Sequence, residues 1–198
     1  MSAIVKLDAA ERSNFQTKGE RSDLRKNGYV PAVIYGGGSP AESLSVPAKE
    51  FRKQVSIAGI RARVFDLGSF GRALVKDIQF DPVKDVPIHI DFYRLLEGSK
   101  VTVRVPIKFT NSEKSPGIKR GGVLNVISHE LELSVDATRI PSDISIDIGW
   151  MDIGKSVHMS DISLPDGSVV IGIKDSDPIV TIVAPSGLAQ SETSNQES

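Results

Sequence analysis

Hydrophobic positions in this chain recur mostly with period two, in short runs broken by glycine, proline and aspartate. Ala3 to Ala9 opens with apolar Ile4, Val5 and Leu7 and predicts a first strand. Glu20 to Asn27 is polar and predicts a short helix, ended by Gly28 at the position where a left-handed residue closes helices, with Pro31 soon after. Ala32 to Tyr35 reads as a buried strand and Gly36 to Pro40 as a loop. Pro47 to Val55 has proline at a helix start and Phe51 and Val55 four residues apart, which predicts a second helix. Arg63 to Leu67 and Arg72 to Phe80 predict strands about the turn Gly68–Gly71. Strict alternation in the second puts Leu74, Lys76, Ile78 and Phe80 on one face, and Val75, Asp77 and Gln79 on the other. Asp81-Pro82 ends it, and Ile88 to Leu95 makes a further strand.

A polar break over Leu96 to Lys100 marks the expected domain boundary, giving a first domain of residues 1–96 and a second of 97–185. Beyond it Val101, Val103, Val105 and Ile107 alternate, as do the apolar positions of Glu130–Val135 and Ile144, Ile146 and Ile148. Ser115 to Gly122 reads as an exposed loop, and strands continue to Ile179–Val183. No amphipathic helix follows residue 100, so the second domain is expected to be all-β and the chain mainly β. Residues 186–198, rich in Ser, Glu and Gln, are expected to be a disordered tail.

Charge sharpens this division. The net charge of −1 conceals 15 Lys and Arg against 11 Asp and Glu in residues 1–95, and 9 against 14 in residues 96–198. Within residues 12–63 the count is 10 basic to 4 acidic, so a polyanion is expected to meet the first half only. Charge alone is equally the mark of a solvated surface. There is no cysteine, which removes disulfides, thiolate zinc sites and a cysteine nucleophile. Neither a secretory signal nor an apolar run of membrane-spanning length is visible, so the expected location is the cytoplasm.

Candidate chemistry gathers in the first half. Arg12, Lys18, Arg21, Arg25 and Lys26 flank a glycine-bounded turn and suit a phosphate backbone. His89 and Asp91 emerge on one side of a strand, about 7 Å apart by strand rise. They could be read as an acid–base pair, as metal ligands, or as a buried histidine with a carbonyl partner. The metal reading is weak, because the remaining histidines, His129 and His158, lie in the second domain. The catalytic one has no Gly-x-Ser-x-Gly motif beside it. Gly36-Gly37-Gly38 lacks the Gly-Lys-Ser/Thr ending of a phosphate loop. Trp150, Met151 and Met159 are most simply core or interface packing residues.

Two motifs go further. Leu24-Arg25-Lys26-x-Gly28-x-x-Pro31-Ala-Val-Ile-Tyr35-Gly36 and Pro87-x-His89-x-Asp91-Phe92 together resemble the bacterial large-subunit ribosomal protein family L twenty-five, also called CTC or general stress protein. Val105-Pro106, Ser115-Pro-Gly-Ile-Lys119-x-Gly121-Gly122-Val-Leu124 and Ile140-Pro141 are similar to the second domain of its longer members. The resemblance implies an N-terminal closed β-barrel with short helices, gripping the loop E region of 5S ribosomal RNA, and a C-terminal β-domain. It implies a structural protein of the large subunit's central protuberance, with no catalysis, cofactor, metal or small-molecule substrate. By position, the implied RNA contacts are Arg12, Lys18, Arg21, Arg25, Tyr35, Lys76, Gln79, His89 and Asp91. The chain departs from the family at Ser22-Asp23, where many relatives have another basic residue, and in a spacing from Arg12 to Lys18 about one residue longer. From another class comes the alternative of a stress-response protein whose acidic β-domain binds a protein partner, with RNA binding secondary.

Overall fold

A computed structural model of the chain describes residues 4–12, 17–96 and 98–184; Ala3 and the expected tail lie outside them. Two compact units emerge, one running to Val105 and including Leu133–Ser142, the other formed by Pro106–Glu132 and the chain from Asp143 on. The architecture is mainly β, as the periodicity requires.

The first unit holds β1 (Val5–Lys6), β2 (Ala10–Glu11), β3 (Tyr29–Gly36), β4 (Ser39–Pro47), β5 (Val64–Asp66), β6 (Arg72–Phe80) and β7 (Pro87–Arg94), with helices α1 (Lys18–Lys26) and α2 (Ala48–Val55). The strands form one sheet in the order β1-β5-β6-β7-β3-β4-β2. Its edge strands β1 and β2 make no ladder with each other, so the expected closed barrel is not seen. Yet β1 and β2 are joined by only Leu7, Asp8 and Ala9, which can span no more than about 14 Å. The sheet must therefore curl until its edges nearly meet, and the chain itself bridges the gap. Leu7, 3% exposed, fills that bridge from inside.

The inner face is apolar: Val30, Ala32 and Ile34 of β3, Leu44 and Val46 of β4, Phe65, Ala73, Val75, Ile90 and Phe92. From α2, Phe51 enters this core and meets Phe65 and Phe92 at centroid distances of 6.1 and 6.3 Å. Helix α1 buries no residue and depends on its caps. Thr17 and Glu20 form a reciprocal capping box, and Gly28 follows the helix with φ of 84°. The Gly36–Pro40 segment is a tight hairpin connection rather than a loop, because β3 runs through Gly36 and β4 begins at Ser39.

The sequence beyond residue 100 alternates as expected. Val101, Val103 and Val105 of β8 (Lys100–Thr110) are buried in alternation with exposed residues, although this stretch of the strand falls in the first unit. After α3 (Pro116–Lys119) come β9 (Val123–Val126), β10 (Glu130–Asp136), β11 (Ile144–Asp147), β12 (Ser156–His158), β13 (Val169–Val170) and β14 (Pro178–Val183). They make a four-stranded sheet, β11-β8-β10-β13, and a three-stranded one, β12-β14-β9. One expectation is corrected here. Ser115 to Gly122 is not an exposed loop: it contains α3, with Ser115 fully buried and donating to the Met151 carbonyl at 2.6 Å. A side chain at Gly117 would sit 2.8 Å from the Asp152 carbonyl carbon, so the segment is packed tightly against residues 151–153. Met151 and Met159 are core, whereas Trp150 is 58% exposed.

Candidate nucleic-acid interface

The outer face of β6, β7 and β3 carries the candidate chemistry in three rows. Gln79 is opposite His89; Asp77 is opposite Asp91, which is opposite Val33; Leu74 is opposite Tyr93, which is opposite Tyr35. Strict alternation does not produce this arrangement. The register shifts between Val75 and Asp77, making Lys76 an extra residue in β6. Val75 and Ile78 thus both turn inward, while Leu74, Asp77 and Gln79 turn outward. The face expected from simple alternation, Leu74 with Lys76, Ile78 and Phe80, is overturned by this bulge.

A second shift sets Gln79 against His89 but Phe80 against Pro87, which leaves Ile88 the extra residue of β7. Arg25 of α1 occupies this irregularity, its Nε donating to the Ile88 carbonyl at 3.2 Å. One hydrogen bond thereby fixes the basic helix beside His89. Lys18, Arg21 and Arg25 are spaced three and four residues apart, so they share one stripe of α1, and all three are exposed. Lys26 instead pairs with Asp23 at 3.0 Å.

His89 and Asp91 lean together, with Nδ1 2.8 Å from Oδ1, although the approach is not aligned for hydrogen bonding and the buried Nδ1 has no hydrogen-bond partner. Both side chains are roughly 70% covered, at 27% and 31% exposure. Tyr35 and Tyr93 meet edge to face at 6.2 Å and 82°. Burial first, then the negative charges of Asp91 and Asp77, raise the Tyr35 hydroxyl above the ordinary tyrosine range. It therefore stays a hydrogen-bond donor well above neutrality. Asp77 is also met by Arg61 at 3.5 Å.

The structure thus brings Arg25, Tyr35, Gln79, His89 and Asp91 to one face and its border. Lys76 stands exposed at the bulge. Arg12 is differently placed: its guanidinium donates to the carbonyls of Leu44 at 3.0 Å and Ala32 at 3.5 Å. Burial, and then the charge of Arg21, hold its pKa below the usual arginine value. Sequence reasoning missed Tyr93 and Asp77. Tyr93 could have been found from its spacing of two beyond Asp91, and Asp77 from its spacing of two before Gln79; what depends on the bulge is that Leu74 shares their face.

A histidine, a carboxylate, an amide and a phenol beside a row of flexible cations can recognise RNA, whose 2′-hydroxyls and base edges need short polar groups. The family model described as the ribosomal L25p family matches residues 7–92. That of the ribosomal protein TL5 C-terminal domain matches residues 100–186. Proteins named large ribosomal subunit protein bL25 are similar throughout. That of Bartonella bacilliformis is 41% identical, covering 100% of this chain and 97% of its own. Those of Brucella anthropi and Rhizobium meliloti are 43% and 40% identical, covering 98% and 92% of this chain and 92% and 90% of theirs. The chain belongs to the ribosomal L25p family.

The family is one of structural ribosomal proteins rather than enzymes. The L25p match ends at Phe92, so it contains the three rows of the outer face except Tyr93. Among the described residues no helix is long and apolar enough to cross a membrane.

Proposed function

We propose that this chain is a structural protein of the large ribosomal subunit, working on the bacterial ribosome in the cytoplasm, that binds 5S ribosomal RNA through the outer face of β6, β7 and β3. The juxtaposition of Arg25 with His89 across the Ile88 bulge carries the reading, because it joins phosphate-binding and base-reading groups in one surface. Lys18, Arg21, Arg25 and Lys76 meet phosphates and set the register, while contributing no sequence information. Gln79, His89 and Asp91 address base edges and 2′-hydroxyls in the wide minor groove of an irregular helix, the loop E region. Tyr35 supplies a flat surface and a retained hydroxyl donor. Arg12 adds charge from within the sheet while securing β3 and β4 by its carbonyl bonds. The binding stabilises 5S RNA in the central protuberance. A gel-shift titration of the full chain against 5S RNA, with a loop E-disrupted RNA beside it and several salt concentrations, tests this. Tight binding confined to the intact RNA is expected; equal binding of both would reduce the face to a general polyanion patch.

A further inference from the structure

Helix α2 has two unlike sides. Phe51 points into the core, while Lys49, Arg52, Lys53 and Ser56, at helical spacing, line an open groove of about 480 Å³ whose floor is Gly28 and Ala48. The floor is fixed, the Ala48 amide donating to the Gly28 carbonyl at 2.8 Å. It is also bare: nothing lies within 4 Å of where a side chain at Gly28 would begin. Glu50, the one acidic residue of α2, is not among the lining residues. Among the described residues none of the three cations is held in an ion pair. Three unneutralised cations along one wall repel each other unless an anion joins them.

Position identifies the anion. Tyr29 of β3 pairs with Pro47, so the start of α2 lies beside the start of β3. Strand β7 runs parallel to β3 and brings His89 toward the same end, where Arg25 is docked. Tyr29, 43% exposed, stands at the junction. A strand of phosphates leaving the sheet face past Arg25 would therefore run onto α2 with its cations facing it. We infer that the Lys49–Arg52–Lys53 face of α2 is a second phosphate-contacting surface, which grips a further stretch of the double-helical backbone of the RNA held by the sheet. This rests on the proposed RNA-binding function and extends its footprint round the end of the unit. The groove is too open to enclose a small molecule, whereas a rigid, evenly charged backbone needs only a row of cations at its border.

The test uses the full chain carrying Lys49→Gln, Arg52→Gln and Lys53→Gln together, titrated against 5S RNA from 50 to 200 mM KCl with hydroxyl-radical footprinting. All three residues are exposed, and circular dichroism would verify that α2 and the sheet persist. Each phosphate contact changes affinity about 3.5-fold across a fourfold change in salt. Loss of two or three contacts should therefore shrink the wild-type advantage by about 10- to 40-fold over this range, and remove one protected backbone tract while leaving the others. A Lys49→Arg, Lys53→Arg variant should keep both slope and tract. If the unmodified chain binds but the triple variant keeps its salt slope and footprint, this inference is overturned alone. If the unmodified chain fails to bind 5S RNA, the proposed function falls and takes this inference with it.

Discussion

Gly36 closes β3 directly beneath the tyrosine pair, and replacing it with alanine tests whether the backbone there was shaped for those rings. Its φ is 99°, a conformation costing an alanine about 1–2 kcal/mol. An added Cβ would also lie 2.8 Å from Cε2 of Tyr93 and 3.1 Å from Cδ2. Tyr93 is 36% exposed, so its ring can swing outward, but it then forfeits the edge-to-face contact with Tyr35. Such a contact is worth about 0.5–1.5 kcal/mol. Gly36→Ala should therefore cost about 1.5–3.5 kcal/mol in the first unit. In a Tyr93→Ala background the collision vanishes and only the backbone strain of about 1–2 kcal/mol remains, so the pair should couple by about 0.5–1.5 kcal/mol. Native-state hydrogen exchange of the β3 and β7 amides is the suitable assay, because it reports this unit's opening directly. The chain's one tryptophan, Trp150, lies in the second unit and would report the wrong transition. An equal cost of Gly36→Ala in both backgrounds would refute the claim that the ring excludes a side chain; a cost below about 0.5 kcal/mol would refute the strain as well.

Arg25→Ala should weaken 5S RNA binding and lower the salt slope by about one charge, whereas Arg25→Lys should keep most of the slope; an unchanged slope for the alanine variant would remove Arg25 from the interface. Asp91→Asn should narrow the discrimination between loop E and plain duplex, read as the ratio of the two dissociation constants. The same substitution should lower the Tyr35 titration, isolated as the 295 nm absorbance change that a Tyr35→Phe control lacks, since Asp91 is the leading charge raising Tyr35. The linked stability has a definite sign: a phenol with a raised folded pKa stabilises fully below the unfolded value of about 10 and loses that contribution as pH rises through the folded one. Asp91→Asn should accordingly make the first unit more resistant to alkaline unfolding, and an unmoved alkaline midpoint would count against the contact. Phe51→Ala, which empties the centre of the three-ring cluster, should destabilise the first unit by about 3–5 kcal/mol by the same exchange measurement.

What could be read in advance follows from the range of the forces involved. Helix α2 was legible because Pro47, Phe51 and Val55 encode its start and its buried side locally. Helix α1 was legible at its end, through Gly28, although its start at Lys18 came from the Thr17–Glu20 box, which sequence reading passed over. Strand β4 was missed, since Ser39–Ser43 is polar and is held by its pairing with β3 rather than by its own apolar pattern. The first predicted strand, Ala3 to Ala9, shrank to β1 alone, with Leu7 buried just after it and β2 starting only at Ala10. Gly117 and Ser115 looked like loop residues; only tertiary packing against residues 151–153 shows why they are small and buried.

The site has the same mixture of near and distant causes. That His89 and Asp91 share a face follows from a spacing of two, and neither bulge touches it. Their relation to everything else depends on two inserted residues. Without Lys76 as an extra residue, Leu74 and Ile78 would share a face, and Asp77 and Gln79 could not stand opposite Asp91 and His89 while Leu74 stood opposite Tyr93. Without Ile88 as an extra residue, its carbonyl would have a regular place in the ladder and Arg25 would lose the acceptor that holds α1 beside His89. A bulge costs ladder hydrogen bonds and leaves a residue unpaired, so two of them in one strand pair need compensation. Here the compensation is visible as position: one bulge re-aims a row of polar side chains, and the other docks the cationic helix against it. The charge asymmetry between the halves of the chain indicates where a polyanion can go, and these two irregularities determine what it would meet on arrival.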